Sequence, residues 1–179
     1  MLKNRNPVLK GLIEWVAILG LALLLALVAR NYLFRITMVS GYSMEPTLTH
    51  GDILVLNRFT YLFNDPGVGD IVAFPDPQNP SDFLIKRVIA VSGDLVEIQN
   101  QTILVNGEAL VAPAFDEPLF GSALNLPMVV AEGHLFVLGD NRNHSRDSRC
   151  VSVGALPKEA MLGRANLRFW PLSAFGRVN

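Results

Sequence analysis

Cysteine is nearly missing from this chain. Cys150 is the only one in 179 residues, which excludes an internal disulfide and any Cys-rich zinc site. A single thiol does not say which compartment the protein occupies. Histidine is scarce as well: His50, His134 and His144 lie far apart, without the short spacing of a metal site, so neither a metal nor another cofactor is expected. Charged residues make up only 17% and the formal net charge is -1. That excludes a disordered polyelectrolyte and leaves no basic excess for nucleic acid. Half of the residues are apolar, and where they sit is the first positive signal.

Leu12 to Ala29 is an almost unbroken apolar run. As a helix it spans roughly 27 Å, close to the thickness of a bilayer's hydrocarbon core. Lys3, Arg5 and Lys10 precede it and Arg30 and Arg35 follow, a bias that favours a cytoplasmic N-terminus. Glu14 can reach the interface and Trp15 suits it. A cleaved signal peptide is the alternative, but with Ala29 as the last residue removed, Leu27 would stand where a small side chain is wanted. The expected organisation is a cytoplasmic N-terminus (1–11), a retained transmembrane anchor (12–29) and an extracytoplasmic domain (30–179). About 150 residues suffice for one core.

Beyond Arg35 the pattern is one of short strands and turns, with no long amphipathic helix, which predicts a mainly β fold of short antiparallel strands. Asp52–Arg58 and Asp70–Phe74 each follow a glycine, Gly51 and Gly69, as recurrent turn chemistry. Pro75 to Pro80 is a loop, Phe83–Val91 a long strand, and Asn106-Gly107 a hairpin turn. About 95–133 is expected to be a loop-rich excursion or minor subdomain. His134–Leu138 is a strand that delivers a dense polar loop, Gly139 to Arg149. Pro157–Met161 suits one helical turn, and Leu162–Trp170 a closing strand.

Ser43, in Ser40-Gly41-Tyr42-Ser43-Met44-Glu45-Pro46, is a candidate nucleophile, although a serine between Gly and Pro commonly does no more than satisfy a turn. Strand alternation places Lys86 with Leu84, Val88 and Ala90 on one face, and Arg87 with Ile85, Ile89 and Val91 on the other. Two cations thus enter apolar surroundings. An arginine there stays charged and needs a partner, whereas a lysine can lose its proton, because desolvation lowers its pKa by up to about 3 to 5 units. Lys86 is therefore a candidate general base; the alternative is an edge strand whose cations reach solvent. The polar loop offers carboxylates to neutralise Arg87 and hydroxyls to orient the lysine.

Ser-Met-Glu-Pro-Thr-Leu at 43–48, Gly-Asp-Ile at 51–53, Lys-Arg-Val-Ile-Ala-Val-Ser-Gly-Asp at 86–94, Gly-Asp-Asn-Arg-Asn-His-Ser-Arg-Asp-Ser-Arg at 139–149 and Gly-Arg-Ala at 163–165 resemble, in order, the conserved boxes of bacterial type I signal peptidases. The resemblance implies a largely β serine endopeptidase with a Ser/Lys dyad that removes signal peptides from secreted proteins. On this chain it implies Ser43 as nucleophile, Lys86 as its base and Ser145 as the hydroxyl that orients the lysine. Asp140, Asp147, Arg87 and Arg149 become the charged support. The Ser43 backbone N–H is one oxyanion donor. Some relatives place a serine two residues before the nucleophile as the second donor; here that position is Gly41, and Ser40, a backbone N–H or water remains open for the role.

By the same resemblance, an extended substrate lies between about Met38–Ser43 and Asp82–Lys86. Met38, Val39, Gly41, Tyr42, Asp82, Phe83, Leu84 and Ile85 are then its contacts, in small pockets that accept an Ala-x-Ala ending. Met38, Val39, Met44, Phe83 and Leu84 would either rest on the bilayer or belong to the core. The implied partners are signal peptides of exported preproteins, the lipid bilayer and the protein translocation machinery. A Ser/His enzyme built on His134 or His144 is the chemical rival, without a Gly-x-Ser-x-Gly motif to support it, and Ser43 also lacks a Ser-x-x-Lys spacing. Self-cleaving repressors share the Ser/Lys chemistry but have a DNA-binding domain where this chain has a span. A tethered β domain that binds exported peptides without cutting them is the rival from another class.

Overall fold

In the computed structural model, which describes residues 7–28, 33–100, 102–110 and 126–178, the apolar run is one helix, α1 (Pro7–Val28). It begins at Pro7 rather than Leu12. Proline is well placed in a first turn, where its missing N–H has no partner to lose, and Lys10 lies 3.9 Å from Glu14 one turn on, so the charge does not interrupt the helix. Val8–Leu27 is long and apolar enough to cross a membrane, and no other described residue covers it. Ala29 lies outside the described residues.

Apart from short 3-10 turns, the remaining described elements are strands: β1 (Phe34–Met38), β2 (Ile53–Asn57), β3 (Ile71–Pro75), β4 (Phe83–Val91), β5 (Leu95–Gln99), β6 (Thr102–Val105), β7 (Glu108–Ala109), β8 (Met128–Val129), β9 (His134–Leu138), β10 (Leu156–Pro157), β11 (Gly163–Trp170) and β12 (Gly176–Arg177). All pairings are antiparallel. An eight-stranded sheet runs β1-β2-β11-β3-β4-β9-β10, with β12 on β11, and a four-stranded sheet runs β7-β6-β5-β8. Lys158–Ala160 forms a single 3-10 turn after Pro157.

Three Gly-Asp pairs punctuate the chain with one repeated device. Gly51, Gly69 and Gly93 have φ of +91°, +91° and +90°, a region that side chains disfavour. The aspartate that follows each accepts the N–H three residues back: Thr49 to Asp52 (3.0 Å), Gly67 to Asp70 (3.2 Å) and Val91 to Asp94 (2.8 Å). The strands therefore start at Ile53 and Ile71, one residue after the aspartates, which are spent on the turns.

β3, between β11 and β4, lies at the buried centre of the main sheet. Ile71, Val72, Ala73 and Phe74 are all buried, because both faces of the strand are covered. Ile71 and Ala73 join Leu54, Leu56 and Ile85 in one cluster, whereas Val72 and Phe74 join Val88, Leu135 and Val137 in another. β4 follows strict alternation only to Val88. Its register against β9 then shifts, Val88 facing Val137 and Ala90 facing Phe136. This bulge overturns part of the alternation expected from sequence. Val91 packs with Leu84 and Val88, whereas Ala90 joins Ile89 in a third cluster under the smaller sheet.

Within the expected excursion or minor subdomain of 95–133, the described residues form strands. β5 to β8 form the four-stranded sheet, and Val96, Ile103 and Val130 pack on Ile89, Phe136 and Leu138. Asn106 and Gly107 (φ 55° and 82°) make the tight turn between β6 and β7. Residues 111–125 lie outside the described residues.

Candidate active site

The turn that carries Ser43 is pinned from below. Met44 and Leu48 are buried in the core, Leu48 N–H donates to Met44 O (2.8 Å), and Val39 and Asp52 tie the ends together through Val39 N–H to Asp52 O (2.8 Å). From β11, Arg168 reaches across to Thr47 O (2.5 Å) and Asp52 (3.3 Å). Ser43 is thereby presented half-exposed at the mouth of a groove.

Lys86 sits opposite on β4, 2% exposed. Its Nζ donates to Ser43 Oγ (2.7 Å) and to Ile85 O (2.8 Å). Burial pushes the amine down to about 8; Asp147, Asp140 and Asp76 oppose the shift and Arg146 assists it. The carboxylates nearby are occupied. Arg87 forks onto Asp140 through Nε (2.9 Å) and Nη2 (2.7 Å). Arg149 forks onto Asp147 (2.8 and 2.9 Å), and Asp147 also accepts Gly139 N–H (3.0 Å). Asp140 and Asp147 are fully buried as side chains, which is tolerable only because each is paired. Asp140 and Asp147 are therefore each taken up by an arginine and do not ion-pair with Lys86.

Gly139, in the sequence one residue of the polar-loop motif, is where that loop meets the turn carrying Ser43. A Cβ there would lie 2.2 Å from Ser145 Oγ and 2.4 Å from Ser43 O. Only glycine lets the end of β9 approach the Ser43 turn this closely, and Asn141 N–H completes the contact by donating to Ser43 O (3.1 Å). Ser145 is thus brought against the same turn. Its Oγ is buried and makes no hydrogen bond among the described residues, to Lys86 or to any other group.

The groove is a cavity of about 320 Å³ with Ser43 and Lys86 in its wall. Of the eight contacts proposed from sequence, Met38, Val39, Asp82, Phe83, Leu84 and Ile85 line it, and Gly41 and Tyr42 do not. Tyr42 is exposed, with its ring centroid 5.9 Å from that of His50. Gly41 N–H already donates to His50 Nδ1 (3.2 Å), whereas Ser40 lines the groove. Sequence reasoning missed Asp76 and Met44 in the lining, because neither the proline-rich loop nor a core methionine signalled a site. Val39 and Met44 are core residues, not bilayer contacts; Met38 is exposed. Among the described residues neither the His134 nor the His144 ring meets a serine hydroxyl: their Nδ1 atoms meet Glu132 O (2.9 Å) and Asn141 Oδ1 (3.2 Å), and the one serine contact, Ser92 Oγ, goes to the His134 backbone oxygen (3.4 Å).

A hydroxyl held against a desolvated amine, beside an extended groove edged by strands, is a layout suited to cutting peptide bonds. The sequence comparisons agree with that class. The chain belongs to the signal peptidase family, peptidase S26, whose sequence model matches residues 12–170. It is 38% identical to the probable signal peptidase I-1 of Synechocystis sp. over 92% of this chain and 86% of that one. It is 32% identical to signal peptidase IB of Staphylococcus aureus over 93% of both chains. A crystal structure of a signal peptidase I from Enterococcus faecalis aligns with a TM-score of 0.48 at 30% identity, over 56% of this chain and 97% of that one.

Proposed function

We propose that the chain is a membrane-anchored serine endopeptidase that cuts signal peptides from exported preproteins after small residues, with Ser43 as nucleophile and Lys86 as general base. The observation that carries this reading is the 2.7 Å contact between Lys86 Nζ and Ser43 Oγ at a site where burial disfavours the ammonium. The neutral amine accepts the hydroxyl proton as Ser43 Oγ attacks the scissile carbonyl carbon. The oxyanion receives the Ser43 N–H, which no described group uses. Ser40, in the groove wall, supplies the second donor; Gly41 N–H is held by His50. The lysine then protonates the leaving amine, giving an ester on Ser43. It next deprotonates water, which attacks the ester; the bond to Ser43 Oγ breaks, Oγ takes the proton back from the lysine, and the signal peptide leaves as a free acid. Ser145, buried beside the nucleophile turn, limits how that turn and the lysine settle.

The substrate runs as an extended strand between Met38–Ser40 and Asp82–Ile85. Its small side chains point into the walls, which suits an Ala-x-Ala ending. α1 anchors the chain with residues 1–11 in the cytoplasm and residues 30–179 outside, facing preproteins as they leave the translocation machinery. Incubating the detergent-solubilised chain with a preprotein should give a shortened product whose new N-terminus follows a small residue. Ser43→Ala and Lys86→Ala should each lower the rate by at least about 1,000-fold, whereas His144→Ala should retain most of it. Cleavage that survives Lys86→Ala and disappears with His144→Ala would sink the assignment.

A further inference from the structure

Three aspartates surround the Lys86 amine, and each has its own arginine. Asp140 is held by Arg87 and Asp147 by Arg149, both beneath the site. Asp76 is held by Arg146, and this third pair is placed differently. Asp76 belongs to the loop between β3 and β4 and lines the groove together with Ser43 and Lys86. Arg146 comes from the polar loop after β9. Its Nη1 donates to Asp76 Oδ1 (2.9 Å) and Gln78 Oε1 (2.8 Å), and its Nη2 to Asp76 Oδ2. Asp76 also shapes its own loop: Oδ1 accepts Gln78 N–H (2.9 Å), its O accepts Asn79 N–H (3.1 Å) and its N–H donates to Asp82 O (3.0 Å).

The Arg146 side chain is 34% exposed, so this pair is too wet to be a strong element of folding. Its position matters more. A carboxylate on the groove wall is the natural counter-ion for an ammonium on the same wall, and a lysine so paired holds its proton. Asp82 also lines the groove, but Asn79 Nδ2 donates to its Oδ2 (2.8 Å) and its side chain is exposed.

We propose that Arg146 is a positioning residue for the reaction: by clamping Asp76 it fixes the groove wall and prevents that carboxylate from becoming the counter-ion of Lys86. The inference rests on Lys86 being the base, as proposed above. The charged groups that bear on the amine are Asp147 and Asp140, each neutralised from beneath, and Arg146 and Asp76 at the groove. Removing either member of the last pair leaves the other as a lone charge, and the two lone charges have opposite sign.

The test is the pH dependence of kcat/KM for preprotein cleavage by the full chain in detergent. Arg146→Gln should move the acidic limb to higher pH and Asp76→Asn should move it to lower pH, each by roughly half a unit or more. The double variant should bring it back to the wild-type position, and Arg146→Lys, which keeps the charge, should stay near it. Both single variants moving the limb the same way, or lowering kcat with the limb unmoved, would reduce the pair to a loop brace and overturn the proposal. If Arg146→Gln does not fold, Asp76→Asn decides alone: a limb that stays put or moves up overturns it. A wild-type profile without a limb between about pH 7 and 9 would instead refute the assignment of Lys86 itself.

Discussion

Lys86 is a residue whose ordinary charge the fold opposes. An unfolded lysine keeps its proton to about pH 10.4, whereas the buried amine releases it at about 8. Between these values the unfolded chain binds more protons, so stability rises with pH. Below about 8 both states are protonated, and the folded state carries the full penalty, on the order of 3 kcal/mol. Lys86→Met should therefore be inactive yet more stable at neutral pH, with a melting temperature in detergent higher by on the order of 5 °C. The gain should shrink as the pH approaches about 10; an unchanged or lower melting temperature at pH 7 would contradict a protonated, desolvated amine. Gly139 is the other residue with a single solution. Gly139→Ala places a methyl within 2.4 Å of Ser43 O. It should cost roughly 1 to 3 kcal/mol in stability and depress kcat more than KM, because the contact displaces the turn that carries the nucleophile. Ser43 and Lys86 were legible as residues because a hydroxyl in a turn and a cation in an apolar strand each break a local rule. Gly139 was not, since its importance lies in a contact between segments that only folding brings together.

At the scale of elements, the loop after β9 acts as a set of braces. Arg149 is 4% exposed and Asp147 fully buried, so Asp147→Ala leaves a buried guanidinium without its carboxylate. A loss of about 3 to 5 kcal/mol is expected. Asp147→Asn, which retains hydrogen bonding to Gly139 N–H, should lose less; denaturant unfolding of the two variants measures the difference. Strand boundaries were readable where turn chemistry is strong: β4 and β9 fall on the residues expected from their patterns, and Asn106-Gly107 closes its hairpin. The bulge after Val88 was not readable, because it arises from the pairing of β4 with β9 and leaves the alternation of the sequence itself unmarked. The smaller sheet was hidden for a related reason. β7 and β8 are two residues each, too short to show a period, and they exist through their partners β6 and β5.

For the molecule as a whole, two features set the problem that the enzyme solves. α1 is predominantly apolar and not covered by any other described residue, while the proposed catalytic groups lie on a β scaffold assembled from segments far apart in sequence: Ser43 before β2, Lys86 on β4, and the braces after β9. The class of fold and the N-terminal apolar helix followed from composition and pattern. The pairing of Asp76 with Arg146 across seventy residues did not, since a proline-rich loop carries no mark of what it faces. The claim that unites these parts is that the scaffold keeps Lys86 neutral enough to take the Ser43 proton. Its most direct test is the single-turnover rate of preprotein cleavage by the detergent-solubilised full chain as a function of pH. The account predicts a rate that climbs with pH and reaches half its plateau near the lysine's value of about 8; a rate flat from about pH 5 to about 9 would contradict it.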